Sequence, residues 1–434
     1  MQSRRSVVAF AAAALLLGAC GTGGGGQGQA GQSSAPAGPK KVTFEFWNLA
    51  TSEPGKSFWA NTIAAYQKMH PNVTIKNVAI ENDSYKPKLA TTVQSGKAPD
   101  VYQHWGGGVL KQHVDAGLVR DLTADVGDLI PNLTTAALTA YQFDGKTWGL
   151  PADIGMVGFW YNKALFEKAG IQQPPATWTE FIDAVKKLKA AGVTPIALAG
   201  KAKWPGHYYW SYLAMRIAGV PGLQQAADNA DFTGPDFVAA SQRLKELADL
   251  QPFQKGFQGA DYSTPDGQAA TMGNGKAAME LMGQWAPSVQ KDSSKKGLGD
   301  DLGFFTFPVV EGGKGAATDA FGGGGGFSLG KDAPQEALDF LKFALGPENH
   351  RKMVQVGAAL PVYKGEEEAV ADPLLKQVAQ TVAQATAFQL YLDQAYPPAV
   401  GQQVNDSVAE LINGTKTPQE VVQDITETAK SEME

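Results

Sequence analysis

The sequence predicts an α/β protein with enough folded chain for two domains, and three observations carry this. Beyond an N-terminal stretch that does not read as globular, about 395 of the 434 residues remain, too many for one small core and comfortable for two. Hydrophobic residues make up 43% and charged residues 18%, as in a well-cored globule. The first part of that folded chain alternates strand, helix and strand.

Val42, Phe44 and Phe46 alternate with polar residues, so 41–47 reads as a strand. Trp59, Ile63 and Tyr66 recur at helical spacing, and His70-Pro71-Asn72 ends that helix. Residues 73–80 are strand-like again, which completes a βαβ unit and implies a parallel sheet. A second helix carries Tyr85, Leu89 and Val93, stops at Ser95-Gly96 and leads into the strand Asp100-Val101-Tyr102. Phe143-Asp144-Gly145-Lys146 reads as a turn between two strands. Trp148-Gly149-Leu150-Pro151 then leads into an apolar stretch over 155–161. Thr177-Trp178-Thr179-Glu180 has capping-box spacing and opens a helix striped by Trp178, Phe181, Val185 and Leu188. Ala190-Ala191-Gly192 ends it, and 194–198 reads as a buried strand. Residues 232–283 read as mostly helical, with Leu244, Leu247 and Leu250 on one side, and 302–309 as a strand broken at Pro308.

Phe321 followed by five glycines, Gly322 to Gly326, is the most unusual folded segment. Such a run costs stability unless the backbone must approach something closely. It is not a phosphate loop, because no Gly-Lys-Ser/Thr follows. A helix after Asp332 carries Leu338, Leu341 and Leu345. Thr417-Pro418-Gln419-Glu420 is a second capping box, with proline at the first helical position. The chain has no internal repeat.

The N-terminal stretch reads as an export address. Arg4 and Arg5 precede an apolar run from Val7 to Leu17, about eleven residues, within the roughly 7–15 of a signal-peptide core. That is short of the roughly 20 residues needed to span a bilayer. Leu17-Gly18-Ala19-Cys20 resembles the bacterial lipobox, which implies a lipoprotein signal peptide over 1–19 and lipidation of Cys20. Cys20 is the only cysteine, so no internal disulfide is expected. Ser6-Val7-Val8 after the arginine pair matches a twin-arginine signal only in part, and the export route stays open. Residues 20–40 read as the lipidated cysteine and a flexible Gly-rich tether. The formal charge is −6, and loss of Arg4 and Arg5 with the leader makes it −8. With no basic block, nucleic acid is excluded as a partner.

Several short segments occur in an order that resembles the extracellular solute-binding family of bacterial ABC importers, which includes the maltose-binding protein. They are Phe46-Trp47, Ala98-Pro99-Asp100-Val101, Leu150-Pro151, Tyr161-Asn162-Lys163 with Leu165-Phe166-Glu167-Lys168-Ala169-Gly170, Gly275-Lys276-Ala277-Ala278-Met279 and Met282-Gly283-Gln284-Trp285. The resemblance spans nearly the whole chain from Val42 onward. It implies a two-lobed periplasmic-binding-protein fold in which discontinuous lobes are joined by a hinge and the ligand sits in the interlobe cleft. The implied lobes are 41–150 with 318–366, and 151–317 with 367–434. It further implies a protein that is not an enzyme and hands a short oligosaccharide to permease subunits, with no cofactor and no metal. A monomer is expected, extracytoplasmic and anchored to the outer face of the cell membrane through Cys20. Residues 388–398 and the His104-Trp105 loop resemble the xylobiose and xylo-oligosaccharide binders. Chitobiose, a malto-oligosaccharide or a non-sugar solute stand as alternatives.

A pyranose has an apolar CH face and a rim of hydroxyls, so its site needs flat aromatic surfaces and groups that donate and accept. Carboxylates serve well, because hydrogen bonds to charged groups contribute about 1.5–3 kcal/mol against about 1 for neutral ones. Trp105, with His104, lies just past a strand end, where α/β sheets expose ligand-facing loops. Trp285 follows small residues and by resemblance faces the cleft. Trp204 and His207 belong to the aromatic run 204–210, punctuated as a loop by Pro205-Gly206. Asn48 and Glu53 follow the first strand, Asp153 follows Leu150-Pro151, and Asp393 precedes Pro397-Pro398. The Gly323 and Gly324 backbone either donates to a hydroxyl or permits close packing. Trp59, Trp148 and Trp178 read as structural. For every candidate the plain alternative is core packing, helix capping or surface charge.

The rival chemistries leave no such trace. A glycoside hydrolase needs two carboxylates about 5–5.5 Å or 6.5–9.5 Å apart, and nothing marks such a pair. No G-x-S-x-G and no H-E-x-x-H occurs, and His104 and His113 are too far apart for one helical turn. A glycerol phosphate ligand would want arginine near the cleft, and no candidate segment supplies one.

Overall fold

Val42–Asn48 (β1), Gly55–Met69 (α1) and Val73–Ala79 (β2) open the fold, and β1 and β2 pair in parallel along their whole length. These elements belong to a computed structural model that describes residues 40–294 and 296–433. The expected signal peptide, Cys20 and nearly all of the tether lie outside the described residues. The alternation in β1 is an alternation of burial, with Phe44 and Phe46 inside, against Trp59, Ile63 and Tyr66 of α1. Asn82–Gln94 (α2) leads to Val101–His104 (β3), which pairs in parallel with β1. The five-stranded sheet runs β2, β1, β3, Gly326–Leu329 and Leu150–Pro151, the last two antiparallel to their neighbours.

Two smaller sheets follow. Gly158–Asn162 is the centre of an antiparallel trio with Leu302–Phe305 and Met279–Met282, and Ala320–Gly323 is the centre of a mixed one, parallel to Phe388–Leu390 and antiparallel to Gly155–Met156. The apolar residues gather into two main cores. One unites Phe44–Ile154 positions with Phe327–Tyr363 positions, around Phe46 stacked on Phe327 at 5.0 Å. The other unites positions from Met156 to Phe321 with Val354, Leu360 and positions from Val370 onward, around Phe159 stacked on Phe305 at 5.0 Å.

Local signals behave as their chemistry dictates. Asp144 and Gly145 both have positive φ (54° and 74°), the geometry of a tight hairpin turn between Gln142–Phe143 and Lys146–Thr147. Thr177 and Glu180 cap the helix Trp178–Ala190 reciprocally, and Thr417 and Glu420 exchange the equivalent bonds. Three expectations are corrected. Residues 194–198 form no strand: only Ile196 bridges its neighbours, and Pro195 has no N–H with which to continue a ladder. Within 232–283 the helices are Pro235–Asp249 and Gln268–Gly273, while Met279–Met282 is a strand buried on both faces, its one charged side chain, Glu280, satisfied by Gln268 and Gln290. The aromatic run at 204 opens the helix Trp204–Asp228 rather than a loop, because proline is tolerated in a first turn.

The chain passes between the first sheet and the Ala320–Gly323 sheet at 152–154 and again at 324–325. These two connectors lie side by side, with the N–H groups of Ala152 and Asp153 both donating to the Gly325 carbonyl at 2.8 and 2.9 Å. The glycine run exists for this approach. A Cβ on Gly324 would stand 1.7 Å from the Asp153 carbonyl oxygen, and one on Gly322 2.3 Å from that of Gly155. A Cβ on Gly325 would meet only the tip of the Gln103 side chain. Gly324→Ala is therefore expected to destabilise by about 1–3 kcal/mol, as overpacking does. Gly325→Ala should cost under about 0.5 kcal/mol. Urea denaturation of both variants checks the contrast.

Candidate functional site

A cavity of about 290 Å³ opens between the two cores. The loop after β1, the start of α2 and the residues ending β3 form one wall. The Trp204 helix, the Gln284-Trp285 corner and Tyr391–Gln394 form the other, and the paired connectors, Ala152-Asp153 and Gly324-Gly325, lie between them.

The aromatic groups are held from behind. Trp285 follows the strand Met279–Met282 and begins the helix Ala286–Ser293, with its ring 6.3 Å from Tyr391. Tyr391 is fixed by its N–H to the Gly322 carbonyl (3.0 Å) and stacks on Tyr208 at 5.5 Å. Trp105 packs edge-on against Tyr85 at 5.9 Å. The Lys86 ammonium stands over both Trp105 (5.2 Å) and Trp204 (5.9 Å).

The polar groups are likewise positioned. Asp153 accepts from the Leu360 N–H at 2.6 Å and from the Gln284 amide at 2.5 Å. Burial outweighs these bonds and pushes its carboxyl up to about 6. Asp393 accepts from Lys86 at 3.0 Å, with His207 at 4.0 Å. Burial raises the Asp393 carboxyl, but Lys86, His207 and its hydrogen bonds together carry it below the usual carboxylate range. Four contacts tie the walls across the cleft. They are Lys86 to Asp393, the Trp204 indole to Asp83 (3.0 Å), Ser263 to Glu81 (2.7 Å) and the Glu53 N–H to Asp292 (3.2 Å).

Of the residues singled out from the sequence, Trp105, Trp204, Trp285, Glu53, Asp153, Asp393 and Gly324 lie on this cavity. Asn48, His104, His207 and Gly323 do not. Asn48 is fully buried, donating to Asn77 at 2.7 Å and accepting from the Ala50 N–H, so it shapes the loop rather than facing the cleft. His104 turns its Nδ1 to the Gly106 N–H (2.9 Å) and lines a neighbouring cavity. His207 sits behind Asp393, buried against Tyr208, with burial lowering its pKa to about 4. Gly323 lies under the Tyr391 ring, which a Cβ would meet at 2.6 Å. Trp59 packs in the core as expected yet also reaches the cavity.

Sequence reasoning missed Lys86, Gln103, Tyr208, Gln284 and Tyr391. Gln284 and Tyr391 adjoin the quoted Trp285 and Asp393, so proximity in sequence was a usable signal. Lys86 carried none. His104 and His113, set aside as too distant for one helical turn, have ring centroids 5.0 Å apart. Among the described residues, no group of three or more His, Cys, Asp or Glu is placed to hold a metal ion.

Comparison with known proteins fits this geometry. The family model for bacterial extracellular solute-binding proteins matches residues 50–351. The multiple sugar-binding protein of Streptococcus mutans is 27% identical over 354 residues, covering 77% of this chain and 78% of its own. The sn-glycerol-3-phosphate-binding periplasmic protein of Pectobacterium atrosepticum is 26% identical over 346 residues, covering 75% and 74%. A solved structure from work on xylan utilization by Caldanaerobius polysaccharolyticus superposes with a TM-score of 0.82 at 30% identity, covering 89% of this chain and 99% of the other. A chitin oligosaccharide binding protein superposes at 0.81 with 28% identity, covering 90% and 98%. These likenesses extend to the two-lobed architecture with its intervening cleft, and the chain belongs to the family of bacterial extracellular solute-binding proteins.

Proposed function

We propose that this protein is the substrate-binding component of an ABC importer and carries a short oligosaccharide, with xylobiose or a xylo-oligosaccharide as the first choice. The observation that carries the reading is one cleft in which Trp105, Trp204, Trp285 and Tyr391 meet the carboxylates Asp153 and Asp393. Rings match the CH faces of pyranoses, and acceptors match their hydroxyl rims. The xylan-utilization and chitin-oligosaccharide neighbours support this class, and chitobiose and malto-oligosaccharides are the nearest alternatives. The glycerol-phosphate relative is a weaker guide. Among the described residues, Lys86 is the cation on the cavity wall, and it is engaged by Asp393.

In this reading the lobes 41–150 with 318–366 and 151–317 with 367–434 close on the sugar by bending at the connectors. Closure is a population shift that requires tighter binding to the closed form. The closed protein, held outside the membrane by the lipid on Cys20, then docks on its permease and does no chemistry on the solute.

A panel of xylobiose, xylotriose, chitobiose, maltose, cellobiose and raffinose tests the class by thermal shift. At 100 times its Kd, the true ligand adds about 2.7 kcal/mol of stability and is recovered intact. Silence across the panel, or cleavage of the sugar, overturns the reading. Trp285→Ala should weaken binding of that sugar by about 2 kcal/mol, roughly thirtyfold in Kd, with the fold retained by circular dichroism. Asp153 makes stability depend on pH. The folded protein keeps this proton to about pH 6, whereas an unfolded carboxyl loses it near 3.8. The folded state thus binds more protons in that window, and stability falls as pH rises through it. Melting curves at pH 4.5 and 6.5 should show wild type losing stability relative to Asp153→Asn, and parallel curves would refute the assignment.

A further inference from the structure

The space between the walls is divided. Lys86, Trp105, Trp204 and Asp393 line the cavity described above and also a second one of about 960 Å³. Both volumes are close to or within the roughly 300–1,000 Å³ of small-molecule sites. The second cavity lies beyond α2, between residues such as Ala90, His104 and His113 on one side and Lys201, Thr264 and Gln402 on the other.

Its walls are polar and rich in acceptors, with the carboxylates of Glu81, Asp83, Asp261 and Asp393 against the ammonium groups of Lys86 and Lys201. The charges on its walls are engaged: Lys86 with Asp393 at 3.0 Å, Lys201 with Asp261 at 2.6 Å, Asp83 by the Trp204 indole and Glu81 by the Ser263 hydroxyl. The buried side-chain atoms on these walls without a hydrogen-bond partner among the described residues include His104 Nε2, His113 Nδ1 and Asn405 Oδ1. All three residues are more than nine-tenths buried, at 0%, 4% and 7% exposure. The Gly106 N–H occupies His104 Nδ1, so Nε2 carries the proton and is a donor. Burial lowers the basicity of both imidazoles, that of His113 to about 4, so they are neutral at physiological pH. An unpartnered neutral donor, an unpartnered amide carbonyl and an excess of carboxylate acceptors suit a polyhydroxyl compound rather than an anion.

We infer that the second chamber takes the further units of a longer oligosaccharide whose first units occupy the smaller cavity, so that the protein favours chains beyond the disaccharide. The inference rests on the sugar reading of the first cavity. Trp105 and Trp204, common to both chambers, supply ring surfaces along such a chain. The partition between them is built of side chains. Its Lys86 member, 32% exposed on a flexible four-carbon stem, is the one that can swing aside.

Calorimetric titration of the full chain in mild detergent, with xylo- and chito-oligosaccharides of about two to six units, tests this. Ala90→Trp and Gln402→Trp fill the second chamber from opposite walls, at exposed positions that do not line the first. In wild type, affinity should rise at least about tenfold (1.4 kcal/mol) between two units and four or five. Each variant should lose that rise while keeping wild-type affinity for the disaccharide. Affinity that is flat beyond two units, or a rise that survives both substitutions, overturns the inference and leaves the sugar reading standing. No binding by any oligosaccharide overturns both.

Discussion

At the centre of the molecule two stretches of backbone, Asp153–Met156 and Gly322–Gly324, run so close that no side chain fits between them. The approach is only 1.7 Å from a hypothetical Gly324 Cβ to the Asp153 carbonyl oxygen, and two N–H groups converge on the Gly325 carbonyl beside it. Much else depends on this contact. Gly322 and Gly323 pair with Met156 and Gly155 in one sheet, while Gly326 and Phe327 pair with Pro151 and Leu150 in another. Each strand pair therefore changes sheets together with its partner. The same contact aims the Asp153 carboxyl at Leu360 and Gln284, and the Gly322 carbonyl receives the Tyr391 N–H. A site that needs a carboxylate and a ring at fixed separation is thus built on a backbone scaffold rather than on mobile loops.

Around that centre, buried polar groups secure the larger core. Arg216 is wholly buried, and its guanidinium donates to the carbonyls of Ala316, Asp319 and Phe307 at 2.6, 3.0 and 3.2 Å. It thereby shapes the segment that delivers the chain into Ala320–Gly323. Glu280, on the buried strand next to Gly158–Asn162, accepts from Gln268 and Gln290 at 2.9 and 2.6 Å, and burial pushes its carboxyl up to about 7. Both groups lie behind the cleft wall and hold its supports rather than its face.

Much of the fold was legible because local chemistry and burial agreed. The β1 alternation, the two capping boxes, the Asp144-Gly145 turn and the stripe on Trp178–Ala190 each state a local rule that tertiary packing does not overrule. Where sequence reading failed, packing made the decision. Residues 194–198 look like a strand but contain Pro195, and Met279–Met282 looks like helix until its pairing with Gly158–Asn162 and the Ile196 bridge bury it. The site was legible by residue type and segment, less so by direction. Asn48 and His207 stand beside the cleft with their side chains committed to Asn77 and the Tyr208 packing, a matter of rotamer that spacing does not encode. Lys86 gains its place from partners 19 and more residues away, on Trp105, Trp204 and Asp393.

The bond from the Trp204 indole to Asp83 spans the cleft, and the ring is nearly buried between the walls. An indole in that position emits at a wavelength set by its hydration. Any separation of these walls would break the bond and wet the ring, which makes Trp204, among the nine tryptophans of the chain, the one whose emission is tied to the distance between α2 and the helix Trp204–Asp228.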